Sequence, residues 1–150
     1  MTKQSRALRN TTIPALLILA LAFAWTGIGA AQSTRSTDDD APAIIAVKFH
    51  ADWCGYCKAM GPVFEELQAK YDQQPVLYVT FDQTREFNRR QSHYLAEVMG
   101  LDDAWTRHGG KTGFILLIDA ASKKVVKRLN HEMTLKQIGA ALQEAVANAM

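Results

Sequence analysis

The most constraining feature of this 150-residue sequence is a pair of cysteines placed between an apolar run and a helical pattern. Residues 44–49 (IIAVKF) are mostly apolar and rich in β-branched side chains, which is typical of a central strand. From Cys54 to about Tyr71, apolar residues recur at spacings of three and four, which predicts an amphipathic helix. Residues 76–81 (VLYVTF) predict a second strand. These segments form one β-α-β unit, with Cys54 and Cys57 where the helix begins.

The second half of the sequence predicts a hairpin and a closing helix. Phe114 to Asp119 predicts a third strand and residues 124–129 a fourth, joined by a short turn. Thr134 and Gln137 then have the spacing of a capping box at the start of the last helix.

Between the two halves lies the most individual segment of the chain. Residues 84–99 have the periodicity of a helix, and residues 102–107 that of a second, shorter one. The simplest interpretation is a cap whose apolar residues are buried on one face of the sheet, although an inserted segment can also shape the choice of partner. The apolar residues concerned are Phe87, Tyr94, Leu95, Val98 and Trp105.

The first 31 residues have the layout of a secretory signal. An apolar run over residues 13–25 ends in small residues up to Ala31, and it is preceded by the basic residues Lys3, Arg6 and Arg9. We therefore expect cleavage after Ala31 and export of the rest of the chain to a periplasmic or other extracytoplasmic compartment.

Downstream of the signal we expect a solvated spacer over residues 32–42 and one folded domain over residues 43–150. The alternative is an uncleaved N-terminal anchor, because the 19 residues 13–31 are just long enough to cross a bilayer. In that case the membrane is contacted only through this segment.

Charge and cysteine content narrow the function classes. The chain has 17 basic and 15 acidic residues, and without the three basic residues of the signal it has 14 basic residues and a net charge of −1. A near-neutral chain without a basic run gives no reason to expect a nucleic-acid partner. Its only two cysteines would be exported to a compartment where disulfides persist.

A Cys-x-x-Cys pair at a helix start suits dithiol chemistry. The first thiolate meets unpaired helix amides and the positive end of the helix dipole, which lower its pKa. Cys54 would then attack a disulfide, and Cys57, one turn later, would release the product. The spacing alone is equally compatible with half a zinc site or a structural bridge.

Two alternatives to the enzyme therefore stay open. His50 and His108 could approach the cysteines and complete a zinc site or a soft-ligand copper site. The other alternative is a folded interaction domain whose dithiol is inert or permanently bridged.

The segment Val47–Lys58 (VKFHADWCGYCK), followed by Pro62, resembles the active-site segment of the thioredoxin superfamily. In that family an apolar strand leads through Ala-x-Trp to Cys-Gly-x-Cys-Lys, and a kinking proline lies five residues after the second cysteine. The resemblance covers roughly residues 43–149. It implies an α/β, thioredoxin-like fold with a central mixed β-sheet flanked by helices, extended here by the helical segment before the third strand.

The resemblance also implies roles for the residues around the cysteines. Cys54 is expected to be the nucleophile and Cys57 the resolving thiol of a redox-active disulfide. Trp53 is expected on the substrate-facing surface, although it could also be an ordinary core aromatic. Gly55 and Tyr56 lie between the cysteines, and Tyr56 stands where cytosolic thioredoxins usually carry proline, as in the Gly-Tyr dipeptide of periplasmic disulfide isomerases. The absence of that proline favours a cysteine pair whose disulfide is a stronger oxidant.

Two positions depart from the family pattern. Thr112-Gly113 stands where thioredoxins place a cis-proline, and we expect a trans bond there because a cis bond without proline costs about 2.5–4 kcal/mol. Glycine at this position would allow unusual backbone dihedrals or a close approach of the backbone to the cysteines. Two outcomes stay open, because the pairing of this backbone with a substrate could survive or could be lost. Lys48 stands where thioredoxins bury an acid. It could act as a neutral base or stabilise a thiolate, but we favour a stem packed on the core with its amine pointing outward.

The implied function is thiol-disulfide exchange on protein substrates. We expect a monomeric reductase in an exported compartment, with an electron donor in the membrane as a candidate partner. A disulfide isomerase or oxidase is the alternative, but isomerases with Gly-Tyr cysteines usually carry a dimerisation domain for which this chain has no room. No cofactor and no metal are expected.

Overall fold

The computed structural model describes residues 41–150, so the predicted signal and most of the predicted spacer lie outside the described residues. The elements follow in the order β1 (Ile44–His50), α1 (Gly55–Lys70), β2 (Val76–Asp82), α2 (Glu86–Val98), α3 (Asp102–His108), β3 (Phe114–Asp119), β4 (Val125–Asn130) and α4 (Leu135–Ala149). All eight were predicted, with boundaries that agree within about two residues. Among residues 41–150, no helix is long and apolar enough to cross a membrane.

The four strands form one mixed sheet in the order β2-β1-β3-β4. β1 pairs in parallel with β2, from Ile44 opposite Val76 to His50 opposite Asp82. β3 is antiparallel to both β1 and β4. The predicted crossover through α1 and the predicted β3-β4 hairpin are therefore confirmed.

Side chains that alternate along β1 feed two hydrophobic cores on opposite faces of the sheet. Ile44 and Ala46 belong to a core shared with α1 and α4. Ile45, Val47 and Phe49 belong to a second core shared with the segment from α2 to α3. Helices thus cover both faces, as the α/β prediction required, and both ends of β1 are fixed by packing. β1 ends at His50, and a short turn leads from it to Cys54.

The start of α4 has the capping box that the sequence predicts. The Gln137 amide donates to Thr134 Oγ1 at 3.3 Å, and the Thr134 amide donates to Gln137 Oε1 at 2.8 Å. These bonds satisfy amides that the first turn of a helix leaves without partners.

The predicted burial of the apolar face of α2 is wrong. Phe87 is 62% exposed and Tyr94 69% exposed, and Leu95 and Val98 are also exposed. The helix instead packs on the sheet through its small residues Ser92 and Ala96, because these allow its backbone to approach closely. Trp105 of α3 fills the space over the sheet, where its ring packs edge-on against Phe81.

Candidate active site

Cys54 lies at the junction of β1 and α1, where its side chain caps the helix. Its Sγ accepts a hydrogen bond from the backbone amide of Cys57 at 3.2 Å, the role that Ser or Asp side chains usually play at this position. The Cys54 amide in turn donates to the Ala51 carbonyl at 3.1 Å, which fixes the preceding turn. The sulfur is thus oriented by the local backbone at the positive end of a 16-residue helix.

The two thiols differ in exposure. Both are free, and Cys54 is 8% exposed whereas Cys57 is 2% exposed. The Ala51 amide donates to Cys57 Sγ at 3.4 Å, and the Cys57 thiol donates to the Phe49 carbonyl at 3.8 Å. An incoming disulfide therefore reaches Cys54 before it reaches Cys57.

The environment also separates the two thiols in acidity. Burial acts to raise the pKa of Cys54, but hydrogen bonds from the Cys57 and Thr112 side chains and from the Cys57 and Tyr56 amides outweigh it, so this pKa lies below its ordinary value. Burial and the bond to Cys54 raise the pKa of Cys57 above its ordinary value. The surroundings therefore favour the thiolate form at Cys54 and the thiol form at Cys57, which is the division of roles that dithiol exchange uses.

Gly113 brings the backbone of the loop before β3 against Cys54. It has φ +86°, and no cis peptide bond occurs in residues 41–150, so the bond after Thr112 is trans. A Cβ at this position would lie 2.8 Å from Tyr56 Cβ and 3.4 Å from Cys54 Sγ. The Gly113 amide donates to the Phe49 carbonyl at 2.9 Å. A proline could neither adopt this φ nor donate this hydrogen bond. The backbone at residue 113 is therefore incompatible with the cis-proline that thioredoxins carry at this place.

Trp53 and Tyr56 lie on the surface beside the cysteines. Trp53 is 66% exposed, which excludes the interpretation of this residue as an ordinary core aromatic, and its indole Nε1 donates to the Thr84 carbonyl at 3.2 Å. Tyr56 stacks on His131 with ring centroids 3.8 Å apart. Both rings are therefore held by contacts outside the Cys-x-x-Cys segment.

Thr84 and His131 were missed by sequence reasoning. Thr84 Oγ1 also accepts from the Asp52 amide at 3.1 Å, so it fixes the turn that carries Trp53. Asp82 supports Thr84 by accepting from its amide at 2.8 Å, which agrees with the turn position of an acid at the end of a strand. The only sequence signal for Thr84 is its place just after a strand that neighbours β1, and His131 has none.

Lys48 does not join the group of residues around the sulfurs. Its Nζ lies over the ring of Phe64 in α1, 4.8 Å from the centroid, and the residue is half-buried. The stem packs on the core as expected, but the amine is directed to an aromatic face instead of outward into water.

The histidines considered as metal ligands have other contacts. His50 Nε2 lies 3.1 Å from Asp52 Oδ1, and His108 packs edge-on against Phe49. In the part of the chain that the structure describes, no group of three or more His, Cys, Asp and Glu side chains could hold a metal ion.

Of the predicted site residues, the structure thus brings together Cys54, Cys57, Tyr56, Thr112 and Gly113, with Trp53 and Gly55 adjoining them. This strand-turn-helix geometry coincides with a match to a known family. The family model described as Thioredoxin matches residues 35–95, which include both cysteines and the crossover through α1. Over these residues the chain is similar to thioredoxins.

Curated thioredoxins and protein disulfide-isomerases are similar to part of the chain. The H-type thioredoxin of Picea mariana is 43% identical over 47 residues, which are 31% of this chain and 38% of that protein. The protein disulfide-isomerase of Humicola insolens is 32% identical over 82 residues, which are 53% of this chain and 16% of that protein. The chain therefore spans well under half the length of either relative.

A solved structure shows the same kind of likeness at lower identity. The oxidised thioredoxin of Plasmodium falciparum matches 70% of this chain and 83% of its own with a TM-score of 0.44 and 14% identity. A TM-score of this size decides nothing further. The thioredoxin-like fold of the chain rests instead on the β2-β1-β3-β4 sheet, the crossover helix and the position of the cysteines.

Proposed function

We propose that this protein is a thiol-disulfide oxidoreductase that acts on protein disulfides through Cys54 and Cys57. The observation that carries the proposal is the asymmetry of the two sulfurs. Cys54 is the more exposed sulfur and accepts the amide of Cys57, whereas Cys57 is buried. A permanent structural bridge would need no such difference between its two sulfurs.

The reaction proceeds in two exchanges. The Cys54 thiolate attacks one sulfur of the substrate disulfide, a mixed disulfide forms, and the other substrate sulfur leaves as a thiolate that takes up a proton. Cys57 then loses its proton and attacks the Cys54 sulfur, which releases the second substrate sulfur as a thiolate that also takes up a proton. The substrate has gained two electrons and two protons, and Cys54 and Cys57 have become a disulfide.

The surroundings of Cys54 favour a protein substrate over a small molecule. Trp53 and Tyr56 present two exposed aromatic rings beside Cys54, which is itself only 8% exposed. Aromatic surfaces of this kind provide contact area for a polypeptide. The similarity to a thioredoxin and a protein disulfide-isomerase supports the same substrate class.

The proposed direction is reduction, in an exported compartment. The match to the thioredoxin model supports a reductase, and the signal-like pattern of residues 1–31 supports export. We also propose that an electron donor in the membrane reduces the protein and that the protein is a monomer.

A second direction, isomerisation or oxidation, is favoured by one specific observation. Hydrogen bonds that hold the pKa of Cys54 below its ordinary value stabilise the dithiol form, which makes the disulfide a stronger oxidant. The reduction potential separates the two directions, because thioredoxin lies near −270 mV and protein disulfide isomerase near −180 mV.

Trapping of the mixed disulfide tests the reaction. The reduced protein, Cys54→Ser and Cys57→Ser are each incubated with a disulfide-bonded test protein and analysed by non-reducing electrophoresis and mass spectrometry. We expect turnover from the unmodified protein, a stable mixed disulfide through Cys54 from Cys57→Ser, and neither from Cys54→Ser. Equal trapping by both single variants would contradict the assigned roles, and no exchange by the unmodified protein would contradict the function.

A further inference from the structure

Gln83 is a buried polar residue that the exchange reaction does not use directly. It follows β2 immediately, and it is 7% exposed. Its backbone amide donates to the His50 carbonyl at 2.8 Å, so the position of the residue is fixed at the end of β1. A long polar side chain in such a place requires partners for both ends of its carboxamide.

Those partners are two consecutive backbone groups of the loop before β3. Gln83 Oε1 accepts from the Gly110 amide at 2.6 Å, and Gln83 Nε2 donates to the Lys111 carbonyl at 2.9 Å. One side chain thus satisfies a donor and an acceptor of a loop that has no strand beside it. A carboxamide suits this place because it offers a donor and an acceptor on separate atoms without carrying a charge.

The loop that Gln83 holds ends at the reactive sulfur. Thr112 and Gly113 follow directly, and the Gly113 backbone lies so close to Cys54 that a Cβ would be 3.4 Å from its Sγ. Thr112 directly precedes Gly113, and its side chain acts to lower the pKa of both cysteines. Thr112 is therefore held on one side by the bond from Gln83 to Lys111 and on the other by the bond from Gly113 to Phe49.

We propose that Gln83 is a positioning residue that anchors the loop before β3 and thereby holds Thr112 and Gly113 beside the Cys54 sulfur. Loss of the anchor frees Gly110 and Lys111, and a displacement of the residues that follow them changes the polar surroundings that stabilise the thiolate. This role rests on the proposed function, in which Cys54 is the attacking thiol, but it is measured on the thiol itself without a substrate.

The test is a titration of the Cys54 thiolate in the reduced, full-length protein. The pKa is measured from the pH dependence of alkylation, with the alkylated cysteine located by mass spectrometry. Gln83→Leu removes both side-chain hydrogen bonds, and we expect it to raise the pKa of Cys54 by about one unit, which is a tenfold loss of thiolate at a pH below the pKa. Gln143→Leu, on the exposed side of α4, is the matched control and leaves the pKa unchanged.

A double-mutant cycle separates positioning from a general loss of structure. Thr112→Val removes the hydroxyl, and Gln83→Leu added to it should cause no further rise in the pKa, because the two residues act on the thiolate through one contact. Thr112→Ser keeps the hydroxyl and should restore most of the effect of Gln83. Additive shifts, or an unchanged pKa in folded Gln83→Leu, would overturn the proposal.

Hydrogen exchange gives a test that needs no variant to fold. The Gly110 amide, bonded to Gln83, should exchange much more slowly in the unmodified protein than an unprotected amide does. Exchange at the unprotected rate would overturn the anchor. If the titration behaves as expected but no disulfide is exchanged, the proposed function fails and the role of Gln83 stands.

Discussion

Substitution of Gly113 by alanine tests how closely the loop before β3 approaches the site. A non-glycine residue at φ +86° costs roughly 1–2 kcal/mol. The new Cβ would also lie 2.8 Å from Tyr56 Cβ and 3.4 Å from Cys54 Sγ, and overpacking of this kind adds roughly 1–3 kcal/mol. We therefore expect Gly113→Ala to lower the free energy of unfolding of the reduced protein by about 2–5 kcal/mol.

Gly110 provides the matched control in the same loop. It has φ +83°, but a Cβ there would meet nothing within 4 Å, so Gly110→Ala should lose only the backbone contribution of about 1–2 kcal/mol. Urea denaturation followed by circular dichroism gives both values. Tyr56→Gly in the same chain should remove most of the extra loss in Gly113→Ala. Equal losses at Gly113 and Gly110 would refute the close approach.

Three further results are expected. Because its pKa lies below the ordinary value, Cys54 should reach half of its maximal alkylation rate at a lower pH in the folded protein than in the same protein unfolded in urea; an equal or higher midpoint in the folded protein would contradict the stabilisation of its thiolate. Phe87→Ser should change the free energy of unfolding by about 0.5 kcal/mol or less, whereas Phe81→Leu, in the core, should lower it by more than 1 kcal/mol; similar losses would mean that α2 buries its apolar face. Thr134→Ala should lower thermal stability by about 1 kcal/mol through loss of the capping box, and an unchanged melting temperature would show that α4 does not depend on it.

The sequence predicts well those features that depend on short-range patterns. The apolar, β-branched run over residues 44–49 is typical of a central strand. The helical periodicity that begins at Cys54 places both cysteines at a helix start. Thr134 and Gln137 are three residues apart, which is the spacing of a capping box, and this spacing predicts the start of α4. Each of these signals lies within one element, so no knowledge of the tertiary structure is needed.

The face on which α2 packs could not be predicted in the same way. Its periodic apolar residues predict burial, but the helix packs through Ser92 and Ala96. Small residues allow a closer approach to the sheet, and Trp105 from α3 already occupies the space that Phe87 or Tyr94 would fill. Competition between elements for one volume is a property of the tertiary structure and leaves no periodic signal.

The support of the site was also beyond a local pattern. Gln83, Thr84 and His131 contact site residues that lie between 27 and 75 positions away along the chain. Gln83 is an ordinary polar residue in the sequence, and only its burial beside an unpaired loop marks it out. Contacts at such separations are created by the sheet topology, which brings the ends of β1, β2 and β3 together.

The redox equilibrium of Cys54 and Cys57 tests the central claim most directly. The purified protein is equilibrated with a series of glutathione or dithiothreitol ratios, free thiols are trapped at low pH, and the oxidised fraction is measured by mass spectrometry. We expect one reversible two-electron transition between roughly −120 and −270 mV, the span of known dithiol oxidoreductases. A pair that forms no disulfide across the series, or that stays oxidised far below −270 mV, would contradict an exchange enzyme and indicate an inert or structural dithiol.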